Sequence, residues 1–275
     1  MAKRRKIIYA GAMVYECIYS AFNPCDPAAV QKSKRRMSRA AIDRMNCSSA
    51  TRKLELRMAA AFALDDLVIT LTYDEDHLPD SYAGAAKCLN KFLRQLRAVR
   101  KARGQELYYI YVSEGKHGDH RLHHHVIINA TGTDYEDVNS LWVYGRDTDF
   151  ATIGSRGGYH GYRNWAVYLS KERREASLNG KRMFVPSKNL PKPEAVSEWA
   201  DDATSIETPP GAFEITSAGD RDEYASYKYI VYVLPSLARA VEARNLRAWS
   251  NPITSRHGCR NGVRGLERGI KRGKI

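Results

Sequence analysis

Two β-rich runs that lie six residues apart constrain this chain more than any other feature. "ELYYIYVSE" (106–114) is aromatic and β-branched, "RLHHHVIINA" (121–130) ends in an apolar run, and only "GKHGDH" separates them. Such residues favour the pleated, half-buried surface of a sheet. A link this short joins antiparallel neighbours, because a parallel pair needs a crossover of a dozen residues or more. The second run also collects the histidines: five of the chain's eight fall between His117 and His125. A tag-like accident, a packed core and a metal site are the competing explanations. Strand side chains alternate between faces. Leu122, His124, Val126 and Ile128 therefore share one face, and His123, His125, Ile127 and Asn129 the other. The apolar set is expected to meet helices and the other face to be free for a ligand. His123 and His125 would stand there about 7 Å apart along the strand. Glu114 ends the neighbouring run, close across the ladder. Two imidazoles and a carboxylate suit a divalent first-row ion, or magnesium where a substrate brings phosphate oxygens. For any single histidine a satisfied core position competes. His124 is expected to point to the core or the sheet edge, and His117 and His120 to lie on the surface of the connection.

The remaining elements read as follows. Residues 1–33 look irregular, and 34–62 favour helix. "DLVITLTYD" (66–74) is a strand. Residues 85–101 form an amphipathic helix with Leu89, Phe92, Leu93 and Leu96 on one face and Lys91, Arg94, Arg97 and Arg100 mostly off it. A helix over 133–143, a short strand at 149–154, a helix over 162–175, a strand near 181–189 and a strong strand at 224–235 follow, with a helix and a Gly- and Arg-rich tail beyond. The fold class this predicts is α+β, a central, mostly antiparallel five-stranded sheet with helices on one face. Three regions are expected: a basic, partly helical extension (1–65), a main domain (66–235) with an acidic loop excursion near 190–222, and a basic C-terminal helix and tail (236–275).

The charge is +13 over 275 residues, a field that attracts polyanions, nucleic acid first. It is unevenly spread. Residues 1–60 carry 13 basic against 4 acidic side chains and 239–275 carry 10 against 2, whereas 194–223 carry 9 acidic against one basic. Five cysteines without a CxxC pair argue against a disulfide framework or a four-cysteine zinc site. No apolar stretch approaches the roughly 20 residues of a membrane helix, and the N-terminus lacks the pattern of a signal peptide. The sequence therefore predicts a cytoplasmic protein without a membrane partner.

"WAVYLSKE" places Tyr168 and Lys171 three residues apart on one side of a predicted helix, with Trp165 a turn earlier. An aromatic in the core and a lysine reaching to solvent is the ordinary reading. The chemical one is that a tyrosine hydroxyl attacks phosphorus, helped by a metal on the phosphate oxygens and by a lysine that stabilises developing negative charge.

Together these segments resemble the HUH endonucleases, the rolling-circle replication initiators (Rep proteins) of small single-stranded DNA phages and plasmids. "VITLTYDEDHLP" (68–79) resembles the first family motif, "SEGKHGDHRLHHHVII" (113–128) the second and "YLSK" (168–171) the third, in the family's order. The resemblance covers about 66–172. It implies a sheet of the HUH type, related to RRM and ferredoxin-like folds, with the metal on its open face. It implies His123, His125 and Glu114 as ligands of a magnesium or manganese ion, Tyr168 as nucleophile and Lys171 as its companion. The reaction implied is sequence-specific nicking and joining of single-stranded DNA through a 5′-phosphotyrosine. The freed 3′-OH would prime a host DNA polymerase at a replication origin, with a host helicase, in the cytoplasm of a bacterial host. The middle position of the second motif, usually bulky and hydrophobic, is here His124. A single tyrosine fits the third motif, and Tyr159 and Tyr162 precede it. No Walker-type GxxxxGK[ST] is present, so no fused helicase is expected. As DNA-binding residues Thr70, Thr72, Tyr109, Tyr111 and Arg121 are candidates, the tyrosines as base-stacking platforms, with core packing the competing role for at least one of them. An HUH transposase, a relaxase, and a non-catalytic nucleic-acid-binding protein with a structural ion are the alternatives.

Overall fold

A computed structural model describes residues 3–21, 39–115, 121–171, 183–201, 203–221 and 226–234. The expected connection at 116–120 with His117 and His120, the far end of the helix read to 175, and the C-terminal helix and tail lie outside these residues.

The fold is α+β, as predicted, but it contains two five-stranded antiparallel sheets. The first is built from β1 (Lys3–Ala10), β2 (Met13–Ser20), β8 (Glu194–Ala200), β9 (Phe213–Arg221) and β10 (Ser226–Val233), in the order β8-β1-β2-β10-β9. The second is built from β3 (Leu67–Leu71), β4 (Tyr109–Glu114), β5 (His123–Ile128), β6 (Thr148–Thr152) and the short β7 (Val185–Pro186), in the order β6-β3-β5-β4-β7. Four helices are described: α1 (Arg39–Ala61), α2 (Tyr82–Ala102), α3 (Asp134–Leu141) and α4 (His160–Leu169).

The strand pair that dominates the sequence forms as expected, with Glu114 opposite His123 and Val112 opposite His125. The β3 strand lies on the other side of β5 and puts Thr70 opposite His125. Val126 and Ile128 pack with Leu89, Phe92, Leu93 and Leu96 of α2 and with Trp142 after α3. The opposite face is not free along its length. Val68, Ile110, Val112 and Ile127 meet Leu54, Met58 and Phe62 around α1 and Trp165 and Leu169 of α4. The reason is that Ile127 and its neighbours on this face are apolar and need cover, whereas the histidines at the start of β5 do not. The face is thus open at one end only.

Helices α1 and α4 fill the space between the sheets. The same core takes in Ala10, Met13, Tyr15 and Cys17 of the first sheet and Val231 of β10. The far face of that sheet carries a small core of Val14, Ile18, Ile230 and Tyr232, covered by Ile206.

Three readings of the sequence are corrected here. The supposedly irregular N-terminus is the hairpin β1–β2, turned at Gly11 with φ +61°. Much of the acidic excursion is strand, and β8 pairs with β1 so that Glu198 faces Arg5 at 3.2 Å, while Glu16 holds the same guanidinium at 2.6 Å. Opposite charges across neighbouring strands stabilise such a pair. The run at 224–235 does form a strand, but it joins the first sheet and not the histidine sheet. Arg100 also differs. It lies on the apolar stripe of α2, eleven residues and so three turns beyond Leu89. It is fully buried, pairing Asp134 at 2.5 Å and Asn129 at 2.9 Å.

Candidate metal centre and tyrosine

At the start of β5, His123 and His125 turn their Nε2 atoms toward each other, 3.2 Å apart. The Glu114 Oε2 atom lies 3.5 Å from the first and 3.7 Å from the second. Each ring is aimed from behind. His123 Nδ1 lies 2.9 Å from the Arg121 carbonyl oxygen, to which it donates, and His125 Nδ1 lies 3.1 Å from Thr70 Oγ1. With Nδ1–H donating in both rings, the two Nε2 atoms are lone-pair acceptors that face one another. Two acceptors at this separation repel unless a cation lies between them. The Glu114 Oε1 atom is buried and has no hydrogen-bond partner among the described residues, which is costly for a carboxylate oxygen.

Both observations show that the donor set fits a divalent ion. Ligands about 2.1 Å from one centre are about 3.0 Å apart at octahedral angles and about 3.4 Å apart at tetrahedral angles, which brackets the first two separations. Burial alone would push the Glu114 carboxyl up, but the two imidazoles outweigh it and hold it down at about 2. The carboxylate is therefore ionised and available as a ligand. A set of two histidines and one carboxylate leaves the remaining positions for substrate oxygens.

His124 does what alternation predicts. It is fully buried on the other face, with Ser113 Oγ 2.8 Å from Nδ1 and Tyr73 Oη 2.7 Å from Nε2. Burial and the two neighbouring imidazoles hold its ring at about 3, so it is neutral. A hydrogen-bonded imidazole thus takes the hydrophobic place in the motif without joining the site.

Tyr168 stands beside the triad. Its ring is 5.5 Å from that of His125 and nearly edge-on, and it is 38% exposed, open enough for a large substrate to reach. Helix α4 is held in place from two sides. Gly161 passes so close to the 3-10 turn Ile153–Arg156 that a Cβ there would collide with the Ile153 carbonyl oxygen. At the far end Ser170 is buried and accepts a hydrogen bond from Thr51 of α1 at 2.9 Å. The neighbouring Tyr162 is buried and donates to the Phe62 carbonyl at 2.8 Å, a packing role.

The other candidates divide. Lys171 follows the C-cap residue Ser170, is exposed, and makes no ion pair with a described residue. Thr70 supports His125, and Thr72 donates to the Asp147 carbonyl at 2.6 Å. Arg121 is at the surface, paired with Glu75 at 2.5 Å, and its carbonyl orients His123. Tyr109 and Tyr111 lie on the wrong face for a substrate at the triad. They stack on each other and pack against the α2 core, because odd-numbered positions of β4 face away from Glu114. One neighbour of the site carried no signal in the sequence. Arg156, in the turn before α4, lays its guanidinium over the rings of Trp165 (3.9 Å) and Tyr168 (4.2 Å); the "SRGG" turn that places it reads only as a loop.

Residues 66–173 match a family model of replication-associated proteins, those of the ORF2 type. No curated protein and no solved structure matches the chain. The matched segment runs from β3 through α4 and holds Glu114, His123, His125 and Tyr168 together. It leaves out α1 and every strand of the first sheet. Over residues 66–173, then, the chain carries a replication-associated protein domain of the rolling-circle Rep family.

Proposed function

We propose that this protein nicks and rejoins single-stranded DNA at a replication origin and so starts rolling-circle replication of a phage or plasmid in a bacterial cell. The observation that carries the reading is the Tyr168 ring against His125, a ligand-type residue of the Glu114–His123–His125 set. In this reading the Tyr168 oxygen attacks the scissile phosphorus. The Tyr168 Oη–P bond forms as the P–O3′ bond breaks, the phenol proton passes to solvent, and the departing 3′ oxygen takes up a proton. The DNA 5′ end stays on the tyrosine, the 3′-OH primes a host polymerase acting with a host helicase, and the reverse attack rejoins the strand. A magnesium or manganese ion held by Glu114, His123 and His125 would polarise the phosphate. Thr70 and the Arg121 carbonyl keep both imidazoles in the ligating tautomer. The positive charge of the chain supports affinity for the DNA backbone, which should fall steeply with salt. No helix among the described residues is long and apolar enough to cross a membrane.

The test is cleavage of a panel of single-stranded oligonucleotides with manganese and with EDTA, resolved on denaturing gels. A cut strand and a slower-migrating protein–DNA band, both only with metal, are expected. Tight oligonucleotide binding with no cut and no such band would instead support a binding protein with a structural ion.

A further inference from the structure

We propose that Arg156 is part of the reacting site, holding the Tyr168 ring in place and offering its N–H groups to the DNA phosphate attacked there. This rests on Tyr168 as nucleophile. The guanidinium is stacked on both Trp165 and Tyr168, whose rings are 5.7 Å apart and nearly perpendicular. Stacking uses the flat faces of a guanidinium and leaves its edge, with the N–H donors, pointing outward.

A comparison with Arg52 shows that this is not the usual structural arginine. Arg52 also lies over two rings, Tyr15 and Tyr229 at 4.5 Å each, but it is half-buried between α1 and the first sheet and has Glu55 at 3.6 Å. Arg156 is exposed and has no carboxylate within ion-pair reach among the described residues. An uncompensated guanidinium fixed beside a phenol is suited to a tetrahedral oxyanion, which it can grip with two parallel N–H bonds.

The arginine is also pre-positioned. Trp165 is buried and donates to the Thr152 carbonyl at 3.3 Å. The Arg156 carbonyl accepts from Asn164 at 2.7 Å. Gly157 follows with φ +103°, a conformation that L side chains rarely adopt. The turn therefore delivers Arg156 to one place. Lys171, the cation that the motif suggests, lies past the end of α4 with no such hold.

The experiment compares wild type, Arg156→Ala, Arg156→Lys and Tyr168→Phe in single-turnover cleavage of an oligonucleotide that the wild type cuts, with manganese. Oligonucleotide affinity in EDTA, manganese affinity and the melting temperature are measured in parallel. For Arg156→Ala we expect the rate at saturating DNA to fall at least 100-fold while DNA and manganese affinities change less than threefold. Arg156→Lys should recover at least a tenfold part of the loss, and added guanidinium ion should partly rescue Arg156→Ala. A wild-type rate in Arg156→Ala, or an affinity loss that accounts for the whole effect, would overturn the role of Arg156 alone. So would a lysine variant as slow as the alanine variant with no guanidinium rescue. A covalent adduct persisting in Tyr168→Phe would overturn the tyrosine reading beneath it, whatever Arg156 does.

Discussion

The strand β5 carries a polar cluster at each end, and the two are built to opposite specifications. Beyond its C-terminal end, Asn129, Arg100 and Asp134 form a closed network. Asp134 accepts from Arg100, from both backbone and side chain of Thr131, and from the Gly132 N–H. Asn129 accepts from Arg100 and the Tyr108 N–H and donates to the Glu106 carbonyl. At the N-terminal end Glu114, His123 and His125 point acceptors at one another, and a buried carboxylate oxygen is left without a partner among the described residues. Both clusters consist of residues that burial penalises. One is complete as folded, and the other is completed only by something positive from outside. The same strand therefore has a structural end and a ligand end, and their variants should fail in different ways.

The largest effect is expected at the open end. His125→Ala should reduce manganese-dependent nicking to the detection limit and abolish tight manganese binding in calorimetry, while the metal-free melting temperature drops little. A variant that still nicks with metal at the wild-type rate would erase the distinction. Next comes the closed end. Asp134→Ala leaves the buried Arg100 charge unpaired, which should cost about 3–5 kcal/mol in urea unfolding. Its folded fraction should still bind manganese like the wild type. An unchanged urea midpoint would show that the network is dispensable.

A smaller effect sharpens the open end. Thr70→Val removes the group behind His125 and should weaken manganese binding roughly 10–100-fold, the usual cost of losing such a partner, with stability nearly intact. The smallest effect separates His124 from its neighbours. Its native ring takes a proton only near about 3, whereas an unfolded ring does so near about 6.5. The unfolded state therefore binds the extra proton between these values. The stability contribution is complete above about pH 6.5 and is lost as the pH falls, by up to about 1.4 kcal/mol per pH unit. In EDTA, the unfolding free energy of His124→Gln should depend less on pH than that of the wild type between pH 6 and 4. Equal slopes would show that His124 is not buried neutral.

The open end was largely legible in the sequence because it is local. Alternation alone separates His123 and His125 from His124, and a short connection brings Glu114 alongside. The same alternation, applied to β4, also puts Tyr109 and Tyr111 opposite to Glu114, which rules out a stacking role for them at the triad. What was not legible depends on distant partners. β1 reads as a basic cluster and β8 as an acidic loop until they are paired across almost two hundred residues, where Arg5 meets Glu198. Arg100 reads as a surface charge until Asp134 is brought to it. Arg156 has no pattern of its own, because its place depends on how a glycine turn packs against α4.

Whether the open end of β5 serves Tyr168 is tested most directly by treating the full chain with manganese and a cleavable single-stranded oligonucleotide, digesting with protease, and mapping the nucleotide-bearing peptide by mass spectrometry. One modified site is predicted, Tyr168, carrying a 5′-phosphodiester, formed with the wild type and absent with EDTA or with His125→Ala. Attachment at another residue, or an equal yield of adduct in EDTA, would contradict it.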